Sequence, residues 1–214
     1  MKSSFNAFGK TRKEYGSMHI PVWLGHHIPR VPGGFTLDRS YLSAGLLIPA
    51  GTPIHYDDAT KVFVPILAHD VIKVADGVAT VNASVFGVAP AVGAYAIKVS
   101  ATDFASNAKA VAITEVKANA ENPENLDIKV AIEGLAAGDV IVFSSKSDAL
   151  PTPNAYLFND VFLGDIDVND ETAAATGAAV VYNPDGLMID RTPGAGFKEA
   201  LSKLIPGVLL KSNV

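Results

Sequence analysis

The sequence has no cysteine among its 214 residues, and charged residues make up only 18% of it. The first absence excludes a disulfide scaffold, cysteine-ligated zinc, iron–sulfur clusters and thiol catalysis. The second, together with an apolar content of 49%, excludes a disordered chain. No apolar run reaches the roughly 18 residues that a membrane span needs, and residues 1–16 lack the apolar stretch of a secretory signal. We therefore expect a chain that folds around a sizeable core, is made in a cytoplasm and has no membrane partner.

The sequence also lacks the patterns that carry common chemistries. All five histidines lie within the first 69 residues, without the HxH or HExxH spacing of a zinc site. No GxSxG turn is present, and the glycines of 87–93 and 194–197 match neither phosphate-binding fingerprint. The acidic segment 165–171 lacks the spacing of a calcium loop. We predict no enzyme, no cofactor and no metal, and a β-barrel hydrolase with two spatially paired carboxylates stays the least favoured alternative.

Charge is divided unevenly along the chain. Residues 1–30 carry five basic groups against Glu14, a net charge of +4. The remaining residues carry 12 basic and 21 acidic groups, a net charge of −9, which brings the whole to −5. The negative body repels phosphate backbones, so we expect no nucleic-acid partner.

The N-terminal residues form a distinct segment. The first 41 residues hold six of the 17 aromatic residues, which a disordered tail would lack. Pro21, Pro29, Pro32 and Gly33-Gly34 oppose a regular helix or a central strand. The pattern predicts an extended arm over residues 1–38, which either covers the core of its own domain or reaches a partner.

From residue 39 onward, short apolar segments alternate with Gly, Pro, Asn and Asp turns, the pattern of short β-strands. Residues 126–132 are apolar at every second position, and 140–143 are wholly apolar, as in a buried strand. One amphipathic helical pattern lies at 197–205, before a Pro-Gly stop. We predict a mainly β domain over 39–214, a small barrel or sandwich of short antiparallel strands with one short C-terminal helix. Whether 85–132 form an inserted β subdomain stays open.

Several segments resemble virion proteins of tailed bacteriophages. Residues 42–67, LSAGLLIPAGTPIHYDDATKVFVPIL, resemble the opening of small virion proteins, with a strand, an AGTP turn and a second strand that ends at an Asp/Thr turn. Residues 134–143, 154–168 and 173–181 resemble the later strands of head decoration proteins. The ending FKEALSKLIPGVLLKSN is similar to the closing helix and strand of phage head fibre proteins.

The resemblance implies a non-catalytic structural protein on the outside of the virion, assembled in the host cytoplasm. Its partner would be the major capsid protein, and such proteins are usually homotrimers. The arm would lie in grooves of the capsid shell, where tryptophan, phenylalanine and arginine suit an interface. The predicted anchors are Trp23, His26, His27, Arg30 and Phe35.

A second class of function is a carbohydrate-binding β-module that holds a host-surface glycan. It needs an exposed aromatic side chain beside planar polar groups. Tyr156 with Asn154 and Asn159 is the best local cluster for this purpose.

Overall fold

The computed structural model describes residues 30–45, 47, 48, 50–82, 88–99, 109–145, 151–158, 161, 162, 176–181, 187, 188, 195–205, 210 and 211. The fold is mainly β with one short C-terminal helix, which confirms the predicted class. The strands in chain order are β1 (Arg30–Leu37), β2 (Leu42–Gly45), β3 (Leu47–Ile48), β4 (Pro53–Asp57), β5 (Val62–Pro65), β6 (Ala68–Ala75), β7 (Val78–Asn82), β8 (Val88–Pro90), β9 (Tyr95–Val99), β10 (Val111–Ala112), β11 (Glu115–Ala118), β12 (Asn125–Lys129), β13 (Val140–Ser144), β14 (Ala155–Leu157), β15 (Val161–Phe162), β16 (Thr176–Val181), β17 (Leu187–Met188) and β18 (Leu210–Lys211). The helix, α1, spans Ala195–Leu204.

Five strands close a barrel in the order β1-β16-β14-β4-β5. Four of the five strand pairs are antiparallel. The fifth pair, β1 with β5, is parallel and joins Thr36 to Val62 and Leu37 to Phe63. This parallel pair closes the barrel, and closure leaves no unpaired edge in its wall.

A seven-stranded antiparallel sheet, in the order β10-β9-β13-β6-β7-β12-β11, follows the barrel. Its two outermost strands belong to one extended segment, because only Ile113 and Thr114 separate β10 from β11. Ile113 N–H donates to Ala94 O on one side at 2.7 Å, and Thr114 N–H donates to Lys129 O on the other at 3.1 Å. The sheet therefore curls so far that its two edge strands, β10 and β11, are neighbouring parts of one segment.

The strands between residues 88 and 129 do not form a sheet of their own. β9 pairs with β13, and β12 pairs with β7, so the strands of 85–132 lie on both sides of β13, β6 and β7 within one seven-stranded sheet. Three short ribbons complete the described strands: β3 with β15, β17 with β18, and β2 with β8.

One apolar core runs through both the barrel and the sheet. Phe35, Ile54 and Phe63 of the barrel belong to the same buried cluster as Ile128 and Phe143 of the sheet. Each buried side chain of this kind contributes about 1.5–3 kcal/mol to the stability of the fold. The barrel and the sheet thus share one hydrophobic interior.

Helix α1 covers the outer face of this assembly. Ala200, Leu201 and Ile205 are buried against Val142 of β13 and Tyr156 of β14. The exposed side carries an i,i+4 ion pair in which Lys203 Nζ lies 3.0 Å from Glu199 Oε1. The amphipathic pattern predicted near the C-terminus is therefore a helix whose apolar face packs on β13 and β14.

Tyr41 joins the barrel to the segment that leads into β9. Its buried hydroxyl donates a hydrogen bond to the carbonyl of Pro65 at the end of β5. Its own carbonyl accepts from Ala91 N–H at 2.9 Å. Burial, and secondarily the charge of Asp38, raise the pKa of Tyr41 well above its usual value. The hydroxyl therefore stays a donor.

His69 on β6 is the one histidine that the described residues bury, with 1% of its surface exposed. Its ring centroid lies 5.1 Å from that of Phe143. Nδ1 lies 2.8 Å from the carbonyl oxygen of Asn82, so in the neutral ring Nδ1 carries the proton. Burial lowers the pKa of His69 to about 4.

Stability is expected to fall as the pH is lowered from 7.5 to 5. An unfolded histidine binds a proton near pH 6.5, whereas folded His69 binds one only near pH 4. The unfolded state thus binds more protons between these values, and the free energy of unfolding drops by about 2 kcal/mol between pH 7.5 and 5. Urea unfolding at a series of pH values measures this change.

His69→Asn should remove most of that pH dependence, whereas His55→Asn, at a partly exposed histidine of β4, should leave it intact. The measurements do not go below pH 5, so that carboxylates remain mostly ionised in both the folded and the unfolded state. An unchanged pH slope in His69→Asn would show that another group titrates.

Candidate interaction surface

The five predicted anchors do not share one environment. Trp23, His26 and His27 lie outside the described residues. Arg30 is the first residue of β1 and pairs with Val181 of β16. The structure thus places the end of the predicted arm on a barrel strand.

Phe35 is a core residue, which corrects its prediction as a partner-binding anchor. Its side chain is 1% exposed. Its ring meets that of Tyr56 edge-on at 5.1 Å and 69°. Lys61 Nζ lies over the same ring, 5.4 Å from its centroid. The aromatic ring therefore fills the barrel instead of reaching a partner.

The predicted arm boundary at residue 38 is also too late, because β1 already pairs on both sides. Pro32, Gly33 and Gly34 were expected to prevent a central strand, yet β1 pairs with β16 on both sides of them, at Val31 and again at Phe35. A register shift between Val31 and Phe35 accommodates the three residues as an irregularity within the strand.

The direction of β1 fixes where the arm joins the molecule. β1 runs parallel to β5 and meets it at Leu37 and Phe63. β5 then leads, after two residues, into β6 of the seven-stranded sheet. Arg30 therefore lies at the end of the barrel away from that junction, as does the turn at 58–61 where β5 begins.

The turn between β6 and β7 lies at the end of β6 away from the junction with the barrel. β6 starts at the junction with the barrel and ends at Ala75, and residues 76–77 turn the chain back into β7. The arm thus joins the barrel at the end of β1 that lies away from the junction. The 76–77 turn likewise lies at the end of β6 that is away from the junction. One end is a candidate for anchoring and the other for display.

The carboxylates of Asp57 and Asp58 make contacts within the turn that precedes β5. Asp57 Oδ1 accepts from Ala59 N–H at 2.9 Å, and Asp57 Oδ2 accepts from Thr60 Oγ1 at 2.9 Å. The bonds from Thr60 and Ala59 lower the pKa of Asp57. Asp58 forms an ion pair with Lys61. These contacts agree with the interpretation of Asp57-Asp58 as a turn.

Two carboxylates of the seven-stranded sheet and its turns, those of Asp127 and Asp139, also bond neighbouring groups of the fold. Asp127 accepts from Thr80 Oγ1 at 2.6 Å and from Asn119 Nδ2 at 2.9 Å, and these two bonds lower its pKa. Asp139 Oδ2 lies 2.7 Å from Lys98 Nζ and accepts from Ala136 N–H at 2.7 Å. In the described part of the chain, no three His, Asp or Glu side chains are grouped to hold a metal ion.

The cluster predicted to bind a glycan is not an exposed platform. Tyr156 is fully buried under α1, and burial raises its pKa above the usual value. Both ends of the Asn154 amide bond the backbone of Tyr56, at 2.9 and 3.0 Å. Asn159 lies outside the described residues. Every aromatic side chain that the structure describes is buried or half-buried, so none of these offers an open ring for stacking on a sugar.

Three large apolar side chains of the described residues are exposed. Ile72 and Val74, 47% and 36% exposed, lie on the half of β6 near the 76–77 turn. Val92, 64% exposed, lies on the turn before β9. Among the helical residues that the structure describes, no segment has the length and apolarity to cross a membrane.

Phe35→Ala is expected to destabilise the protein by about 3–5 kcal/mol, because it removes a ring from a packed barrel core. Urea unfolding measures the change, and Val92→Ala, at an exposed apolar residue, should cost under about 0.5 kcal/mol. If Phe35→Ala were as stable as Val92→Ala, the ring would not be part of the folding core.

Comparisons of the chain with protein-family models, with curated proteins and with solved structures give no match. The likeness to phage virion proteins therefore stays a prediction from residues 42–67 and the C-terminal half.

Proposed function

We propose that this protein is a structural virion protein on the outside of a tailed-phage capsid, a decoration or head fibre protein without catalysis. The segment before β1 binds the major capsid protein, and the seven-stranded sheet faces outward. The observation that carries the proposal is the direction of β1. Its parallel pairing with β5 puts the arm's attachment point at the end of the barrel away from the sheet.

The segments that resemble virion proteins supply most of the barrel, which supports the proposal. Residues 42–67 contribute β4 and β5, and the later segments contribute β14 and the whole of β16. The AGTP turn bonds directly to β14. Gly51 N–H donates to Leu157 O at 2.8 Å, and Leu157 N–H donates to Thr52 O at 2.9 Å. Two segments separated by about 90 residues thus form one structural unit.

The charge of the arm suits an anchor. Residues 1–30 carry a net charge of +4 on a chain whose remainder carries −9. An oppositely charged segment favours an acidic partner surface and binds it less well as salt rises. Trp23, His26, His27 and Arg30 are the anchors that the proposal retains, whereas Phe35 belongs to the barrel.

The barrel also gives the arm a firm attachment. β1 pairs with β16 on one side and with β5 on the other. Beyond the paired residues, Asp38 N–H donates to Phe63 O at 2.8 Å. A force on the arm therefore acts against two strand pairings and the buried Phe35 ring together.

Deletion of residues 1–29 should abolish binding to heads of the encoding phage that were assembled without this chain. The deletion stops before β1, so the barrel keeps all its strands and the urea unfolding midpoint should stay close to that of the full chain. Co-sedimentation with the heads measures binding. Ile72→Thr, at the opposite end, is the matched control and should bind as the unaltered chain does.

Two results would contradict the proposal: failure of the full chain to bind these heads, or equal binding by the deletion variant. A deletion to residue 38 is not an equivalent test, because it removes β1 and opens the barrel.

We further propose a homotrimer, as the resemblance implies. Light scattering of the purified chain should then give three times the chain mass of 22.3 kDa. A mass of 22.3 kDa that stays constant as the protein concentration is raised would contradict the trimer.

A further inference from the structure

Half of β6 has a strand on one side only. β13 pairs with β6 up to Val140 opposite Asp70. Val71 makes the last contacts there, with Asp139 O and Gly138 N–H, both at 2.8 Å. After the register shift at Ile72, residues 73–75 continue to pair with β7, and no described residue pairs with residues 72–75 on the other side.

The turn at 76–77 determines which backbone groups face this open side. Asp76 and Gly77 both have positive φ, 51° and 75°, as in the two-residue turn of a tight hairpin. Ala75 and Val78 flank the turn and form a hydrogen-bonded pair, so Val74 and Ala79 form the next, non-hydrogen-bonded pair. The N–H and C=O of Val74 therefore point away from β7, toward the open side.

Side chains at the open side suit another strand. Ile72 and Val74 are β-branched, the type that favours strands, and both are exposed. An unpaired edge of this kind is a template for a further strand. Two features oppose pairing: the register shift between Val71 and Lys73, and the exposed ammonium of Lys73.

We propose that residues 72–75 are a strand-pairing surface for a second copy of this chain, which Lys73 keeps from pairing. The matching register is antiparallel, with the two copies of Val74 opposite each other on a two-fold axis. They then exchange two backbone hydrogen bonds, one N–H and one C=O from each copy. Val74 packs on Val74 across the axis.

The same register explains why Lys73 prevents pairing with a second copy in particular. Lys73 lies opposite Ala75 of the second copy, on the face that does not hold Val74. The two Lys73 side chains are diagonal neighbours on that face, about 7–8 Å apart at the backbone. Like charges at this separation oppose association, and the repulsion arises only when the partner strand also places a cation there.

Lys73→Thr removes this repulsion and should lower the dissociation constant for association beyond the wild-type assembly by about fivefold. Sedimentation velocity over a range of protein concentrations measures the constant. Lys129→Thr is the matched control, because Lys129 is an exposed lysine on β12, which has a paired strand on each side. Its association should equal that of the wild type.

Adding Val74→Pro to Lys73→Thr should return association to the wild-type value. The Val74 N–H points to the open side, so proline removes the donor to the second copy and no bond to β7. Urea unfolding verifies that each variant is folded.

A charge exchange tests the same contact while a charged side chain stays at position 73. Lys73→Glu alone again places like charges at the two diagonal positions, whereas an equal mixture with wild-type protein places Lys of one copy diagonal to Glu of the other. The mixture should associate about fivefold more tightly than either protein alone. Equal association of Lys73→Thr and wild type, or association that survives Val74→Pro, would overturn the proposal.

Discussion

The parallel pairing of β1 with β5 is the constraint on which the rest of the structure depends. It joins residues that lie 26 positions apart, Thr36 with Val62 and Leu37 with Phe63, and it closes the five-stranded barrel. Closure buries Phe35 and Phe63 in a common interior. Because the pair is parallel, β1 must enter from the end of the barrel where β5 starts, and that is where the N-terminal arm is attached.

The shared core makes the barrel and the curled sheet mechanically one body. A single buried cluster includes side chains from β1, β5, β12 and β13. Tyr41 adds a hydrogen bond to the end of β5 and accepts another from Ala91. Helix α1 packs on β13 and β14, strands that belong to the sheet and the barrel respectively. A molecule built in this way can be held at one end and present the other, as the proposed function requires.

Local patterns predicted much of the fold. Alternation at 126–132 and the apolar run at 140–143 correspond to β12 and β13, and the late amphipathic pattern corresponds to α1. The placement of Phe35 was wrong because Pro32 and the two glycines argue against a strand locally. The cost of a distorted strand is offset by pairing with β16 and β5, and both partners are remote in sequence. Tyr156 was misplaced for a related reason. All three residues of β14 are buried because α1 covers the outer face of the strand. No pattern in the local sequence predicts that a helix packs there.

Electron cryomicroscopy of phage heads that carry this chain would show which end of the molecule meets the shell. We expect the five-stranded barrel to contact the shell, with the turn at 58–61 toward it and the hairpin turn at 76–77 as the outermost point. A map in which the 76–77 hairpin lies against the shell and the barrel points outward would contradict this expectation.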